Sequence, residues 1–220
     1  MAMENVYASL LDYINDYHRI PFSYPDHVAD ESEKARMQDI VDHGHAADKD
    51  LNRLAGSLIS KAGFNYGCWT SWKEKYERMT TGYLAIQMTD ASFCRIPVCI
   101  SLYVEKCGED KTRFRVALGL TDENARKDIV DRFHKYLTLP VNIDSGLKLA
   151  CGSDEWGNPR TLTMSWGEAK AKADRGEFKN VQLCKYIERI ENETEEYYEK
   201  EILSAINLLK PYYEKAIGIR

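Results

Sequence analysis

The chain has 220 residues and a mass of 25.3 kDa, enough to bury a substantial core without disulfide or metal staples, as one domain or two small ones. With 30% charged and 44% hydrophobic residues, 14 Tyr and 4 Trp, the composition is globular and excludes a disordered chain, and no apolar run approaches the roughly 20 residues that span a bilayer. The net charge of −5 argues mildly against a nucleic-acid partner, but the charge is unevenly spread: −6 over residues 1–60, +3 over 61–120, 0 over 121–180 and −2 over 181–220.

The first twenty residues lack a basic start and an apolar centre, so no secretory signal is expected. None of the six cysteines sits in a C-x-x-C pair, which points to reduced, mostly buried thiols in a cytoplasmic protein.

Val6, Leu10, Leu11, Ile14 and Tyr17 recur at helical spacing and predict a helix over 4–18, ended by Pro21 and Pro25. The polar stretch 26–50 reads as weakly helical near Lys34 to Val41 and interrupted at Gly44. Leu51, Leu54, Leu58 and Ile59 predict a second helix ending at Gly63. Three β-rich runs follow, Tyr83 to Met88, Ile96 to Val104 and Arg113 to Gly119, the last two forming a hairpin. A helix over 123–137 capped by Thr121 or Asp122 comes next, then a second hairpin from 147–150 and 161–164, and a helix opened by the capping box Ser165 to Glu168. Residues 181–217 read as helix nearly throughout, bent or broken at Pro211. The fold class is therefore α+β, with a largely antiparallel central sheet flanked by N- and C-terminal helices. It divides into a helical extension over 1–60 and a module over 61–220 within one compact domain.

Asp42, His43, His45 and Asp48 are metal-ligand types, but their spacing matches no zinc pattern and they read as a solvated polar loop. A nuclease centre on Asp90, Glu105 and Lys106 fails because adjacent strand residues point to opposite faces. No G-x-S-x-G, Walker A or G-x-G-x-x-G motif is present, and no metal or cofactor is expected.

The stretch Gly63 to Trp72 stands out, because loop tips usually favour small polar residues. It offers three rings, Tyr66, Trp69 and Trp72, just before Lys73, Lys75 and Arg78. These rings either plug the sheet against the N-terminal helices or provide stacking surfaces beside phosphate-binding cations. Arg113 and Arg115 share one strand face and suit either a backbone-tracking stripe or a solvated one.

Three patches in order, Phe64-Asn-Tyr-Gly-Cys-Trp-Thr-Ser71, Ile96-Pro-Val-Cys-Ile100 and Ala117-Leu-Gly-Leu-Thr-Asp122, resemble the N-terminal DNA-binding domain of McrB, the GTPase subunit of modified-cytosine restriction systems. The resemblance implies a base-flipping reader of 5-methylcytosine or 5-hydroxymethylcytosine in double-stranded DNA. In it Tyr66 intercalates, Trp69, Trp72, Tyr83 and Ile100 line the base pocket, and Lys73, Lys75, Arg78, Arg113 and Arg115 contact phosphates. It also implies a non-enzymatic module that serves a downstream GTPase motor and a nuclease subunit, with no membrane partner. A protein-interaction module docking through 181–217, or a nuclease with an unrecognised site, are the alternatives.

Overall fold

The computed structural model describes residues 5–74, 78–90, 97–121, 125–140 and 145–218. The expected α+β class is what the chain adopts: a seven-stranded antiparallel sheet with its long helices on one face. The Asp122 cap, Ile96, Cys94 and Lys75 lie outside the described residues.

Helix α1 (Val6–Tyr17) is capped by Asn5, whose side chain accepts the amides of Tyr7 and Ala8. Helix α2 (Glu31–Lys61) is capped by Asp30 and is continuous over 31 residues, which corrects the expected loop and break at Gly44. The glycine there makes room for a neighbour: a Cβ on Gly44 would lie 2.4 Å from the Trp72 ring. A residue that lowers helix propensity by about 1 kcal/mol is thus kept because an indole occupies the space.

Strand β1 (Tyr66–Trp69) pairs with β2 (Tyr83–Thr89), so the aromatic stretch opens as an edge strand and not as a free loop. Strands β3 (Val98–Gly108) and β4 (Lys111–Leu120) form the expected hairpin. Helix α3 (Lys127–Phe133) passes into a 3-10 turn over His134–Thr138, shorter than the helix expected there. Strands β5 (Lys148–Cys151) and β6 (Arg160–Thr161) make the second hairpin, and α4 (Trp166–Asp174) starts at the Ser165 capping box.

The C-terminal segment departs most from expectation. Gln182–Glu188 forms strand β7, inserted between β4 and β5, and only Glu195–Ile217 forms helix α5. The helix continues through Pro211, since the tertiary bonds of its neighbours hold that turn: Tyr212 Oη donates to Pro140 O, and Tyr213 Oη accepts the Asp90 amide. Among the described residues no helix is long and apolar enough to cross a membrane.

Alternation divides the sheet cleanly. Val98, Ile100, Leu102 and Val104 of β3 and Phe114, Val116 and Leu118 of β4 face the helices and share one core with Leu10, Leu51, Leu58, Ile202 and Ile206. Helices α1 and α2 therefore form a layer of the same domain and not an appendage to it. Their neighbours Cys99, Ser101, Tyr103 and Glu105 of β3 point to the other face, opposite Gly119, Ala117, Arg115 and Arg113 of β4. Among the described residues no long helix covers that face.

Candidate functional site

The open face of the sheet is built around one buried carboxylate. Glu105, fully buried, accepts from Arg113 Nε at 2.9 Å and from Arg115 Nε at 2.7 Å. The Arg115 guanidinium stacks on the Tyr103 ring at 3.9 Å, and that of Arg113 on Tyr186 at 3.8 Å. Burial works against the charge on Arg115, but the Glu105 carboxylate outweighs it and holds the guanidinium above its ordinary pKa. Burial also pushes the Tyr103 phenol up to about 12, so it stays protonated as a hydrogen-bond donor.

Beside this network lies a cavity of about 600 Å³, floored by Gln87, Tyr103, Arg115 and Gln182 and walled by Tyr83. Its roof is the segment 152–159, which folds on itself: Asp154 Oδ1 accepts the amides of Trp156 and Asn158 at 2.9 and 2.8 Å. The roof reaches across to β3, where Asn158 Nδ2 donates to Lys106 O at 2.6 Å and the Trp156 ring lies under Lys106 Nζ. Lys179 stands at the mouth, while both amide atoms of Asn180 are taken up by the Leu120 backbone.

Tyr83 and Tyr103 meet edge to face at 5.7 Å, giving the cavity an aromatic side. Tyr83 also borders a second depression of about 430 Å³, which contains Thr70, Ser71, Lys73 and Glu74. Tyr66 lies at the sheet edge and is 52% exposed; alternation along β1 puts it on the open face with Cys68, whose thiol donates to Gln87.

The sequence-predicted residues are brought together only in part. Tyr83 and Lys73 border the same depression, whereas Tyr66, opposite Thr89, stands at the other end of β2 from Tyr83. Trp72 lies in the core: it is 1% exposed, its ring packs on Gly44 and Phe22, and Asp48 Oδ1 accepts its amide at 2.8 Å. The expected pocket role is corrected to a core plug, and Asp48 is a helix residue engaged with Ser71 and Trp72. Trp69 turns toward α2, where its Nε1 donates to Asn52 Oδ1 at 2.5 Å. Ile100 is fully buried on the helix-facing side, within the core. Arg115, at 3% exposure and paired, holds the cavity floor and is closed to phosphate, and Arg113 is tied to the same carboxylate. Arg78 is exposed, and Lys73 donates to Tyr24 Oη.

Gln87, Tyr103, Gln182 and the 152–159 roof were not singled out from sequence. A signal existed for two strands: in 98–105 and 113–118 one parity is wholly aliphatic or aromatic while the other carries Ser101, Tyr103, Glu105, Arg113 and Arg115. A polar parity so near a strand's centre marks a face that does not pack against helices.

Among the described residues no group of three or more His, Cys, Asp or Glu could hold a metal ion, and α2 carries His43 and His45 as helix residues, with His43 stacked on Tyr17. The outward flank of α5 forms a depression of about 700 Å³ from Glu196 to Leu208, lined by that helix alone. Its apolar flank, Ile202, Ile206, Leu209 and Tyr213, is spent on the core. Compared with protein-family models and with curated proteins, the chain matches none.

Proposed function

We propose that the chain is a DNA-binding module that reads a modified cytosine by taking the flipped base into the cavity between Tyr83, Tyr103 and the 152–159 roof. One observation carries this reading. An aromatic-sided cavity with side-chain amides on its floor lies on the same sheet face as an exposed tyrosine, Tyr66, at the edge. A flipped base needs a ring to stack on, hydrogen-bonding groups for its edge, and a wedge to fill the gap it leaves, an unstacking cost of a few kcal/mol. Tyr83 and Tyr103 supply the first, Gln87 the second, and Tyr66 the third.

The resemblance to the McrB reader domain supports the same function, with the pocket moved from Trp72 and Ile100 to the open face. Lys73 and Lys179 border the two depressions and Arg78 is exposed, and in this reading these three contact phosphates; α1 and α2, which carry the acidity, pack on the opposite side of the sheet. In this reading the chain acts in the cytoplasm as a non-enzymatic specificity module, with the motor and nuclease of a restriction system as its partners. Fluorescence anisotropy with duplexes carrying one 5-methylcytosine, one 5-hydroxymethylcytosine or only cytosine tests it. Tighter binding to a modified duplex, lost in Tyr66→Ala, is the expected result; equal or undetectable binding to all three overturns it.

A further inference from the structure

The amide of Gln182 has a fixed orientation. Arg115 has only N–H groups to offer, so the atom it meets at 2.6 Å must be the oxygen, Oε1. Nε2 is then committed to the other side, where Gln182 lines the cavity and, among the described residues, no acceptor meets it. The side chain has little freedom to turn away. It is 7% exposed, and it lies over Gly119, where an added Cβ would stand 3.3 Å from both its Cγ and Nε2.

Behind it the chain of contacts is rigid: Glu105 holds Arg115, Arg115 stacks on Tyr103, and Arg115 holds Gln182. A buried ion pair is often no more stabilising than well-packed apolar residues of the same volume, so its place beneath a cavity is better explained by what it orients. What it orients is the amide of a residue that lines the cavity.

We propose that Gln182 is the specificity-determining donor of the cavity and selects a base whose inward-facing C5 substituent carries an acceptor oxygen, hydroxymethyl in preference to methyl. The inference rests on the base-reading function proposed above. A hydroxymethyl oxygen accepts from Nε2. A methyl group displaces water from the same N–H and leaves it unpaired, and a site built to hydrogen-bond a substrate discriminates strongly against an analogue that lacks the group. Glu105 and Arg115 act as positioning residues, through Gln182.

The test compares binding of hydroxymethylated, methylated and unmodified duplexes by the wild-type chain, Gln182→Leu and Gln182→Glu, with melting temperatures alongside. Gln182→Glu keeps an oxygen for Arg115 and replaces the donor by an acceptor, so it guards against a Gln182→Leu chain that fails to fold. The ratio of affinities cancels its general repulsion of DNA. The wild-type chain should bind the hydroxymethylated duplex about tenfold more tightly than the methylated one, with the ratio falling to near one in both variants. A wild-type chain that binds modified duplexes without that preference, or variants that retain it, overturn the inference while leaving the reader function standing. A wild-type chain that prefers neither modified duplex over the unmodified one overturns both.

Discussion

The two faces of one sheet carry opposite chemistries, though they are made by alternate residues of the same strands. On the helix side, Ile100, Leu102, Val116 and Leu118 are buried among aliphatic and aromatic neighbours, and nothing polar is needed to hold them. On the open side Glu105 and Arg115 are buried just as deeply, but only by satisfying one another and by stacking on Tyr103. The first face can tolerate any well-shaped apolar set; the second depends on specific partners. A protein that needed the sheet only as a scaffold would have no reason to keep the second arrangement. This contrast supports the proposal that binding uses the open face, which no long helix covers among the described residues.

Substitutions should separate the faces. Trp72→Ala removes a fully packed indole beside Gly44 and should cost about 3–5 kcal/mol in urea unfolding. A loss of DNA binding without a loss of stability would return Trp72 to the site. Arg115→Leu leaves the Glu105 carboxylate with Arg113 alone and the Gln182 oxygen without its donor, and should cost about 3 kcal/mol. A change below about 0.5 kcal/mol would show that the network is solvent-accessible and unlike the helix side after all.

His134 extends the comparison to pH. Its Nε2 accepts the Val181 amide where the chain enters β7, and burial holds the imidazole down at about 4. The unfolded chain takes up this proton near pH 6.5 and the folded chain only near 4. Stability is therefore full above about 6.5 and falls as the pH drops toward 4, by on the order of 2–3 kcal/mol. In His134→Gln, whose amide has no such titration, unfolding free energies between pH 4 and 7 should lose this slope; an unchanged slope would assign it to other groups.

Smaller effects are expected on the open face. Asn158→Ala removes the roof's bond to Lys106 O and should cost about 1 kcal/mol while speeding amide exchange over 152–159. Unaltered exchange there would mean that other contacts hold the roof. Tyr66→Ala, at an exposed edge, should change stability by less than about 0.5 kcal/mol while abolishing selective binding.

Much of this was legible in the sequence. The alternation of Ile100, Leu102 and Val104 against Tyr103 and Glu105 gives a two-faced strand, and Ser165 with Glu168 gives the start of α4. Strand β7 was hidden because Leu183 and Ile187 fall four apart, which suits a helix as well as a strand, and a true helix follows directly. Continuity of α2 through Gly44 depends on Trp72, 28 positions away in sequence, and no local pattern carries it. The same long-range fact hides the core position of Trp72: its place among aromatic residues near cations suits a site, whereas its ring fills space left by a glycine. Gln182 gains its role only through Arg115, a partner that becomes adjacent once β7 docks on β4.

The most direct test is a 1H–15N NMR titration of the uniformly labelled chain with a duplex containing one 5-hydroxymethylcytosine. The side-chain amides of Gln87 and Gln182 and the backbone amides of Tyr83 and 152–158 should shift on binding, with the Trp72 indole unmoved in its core position. Shifts centred on the Trp72 indole or along the outward flank of α5, with both glutamine amides unchanged, would contradict the assignment of the open face as the binding surface.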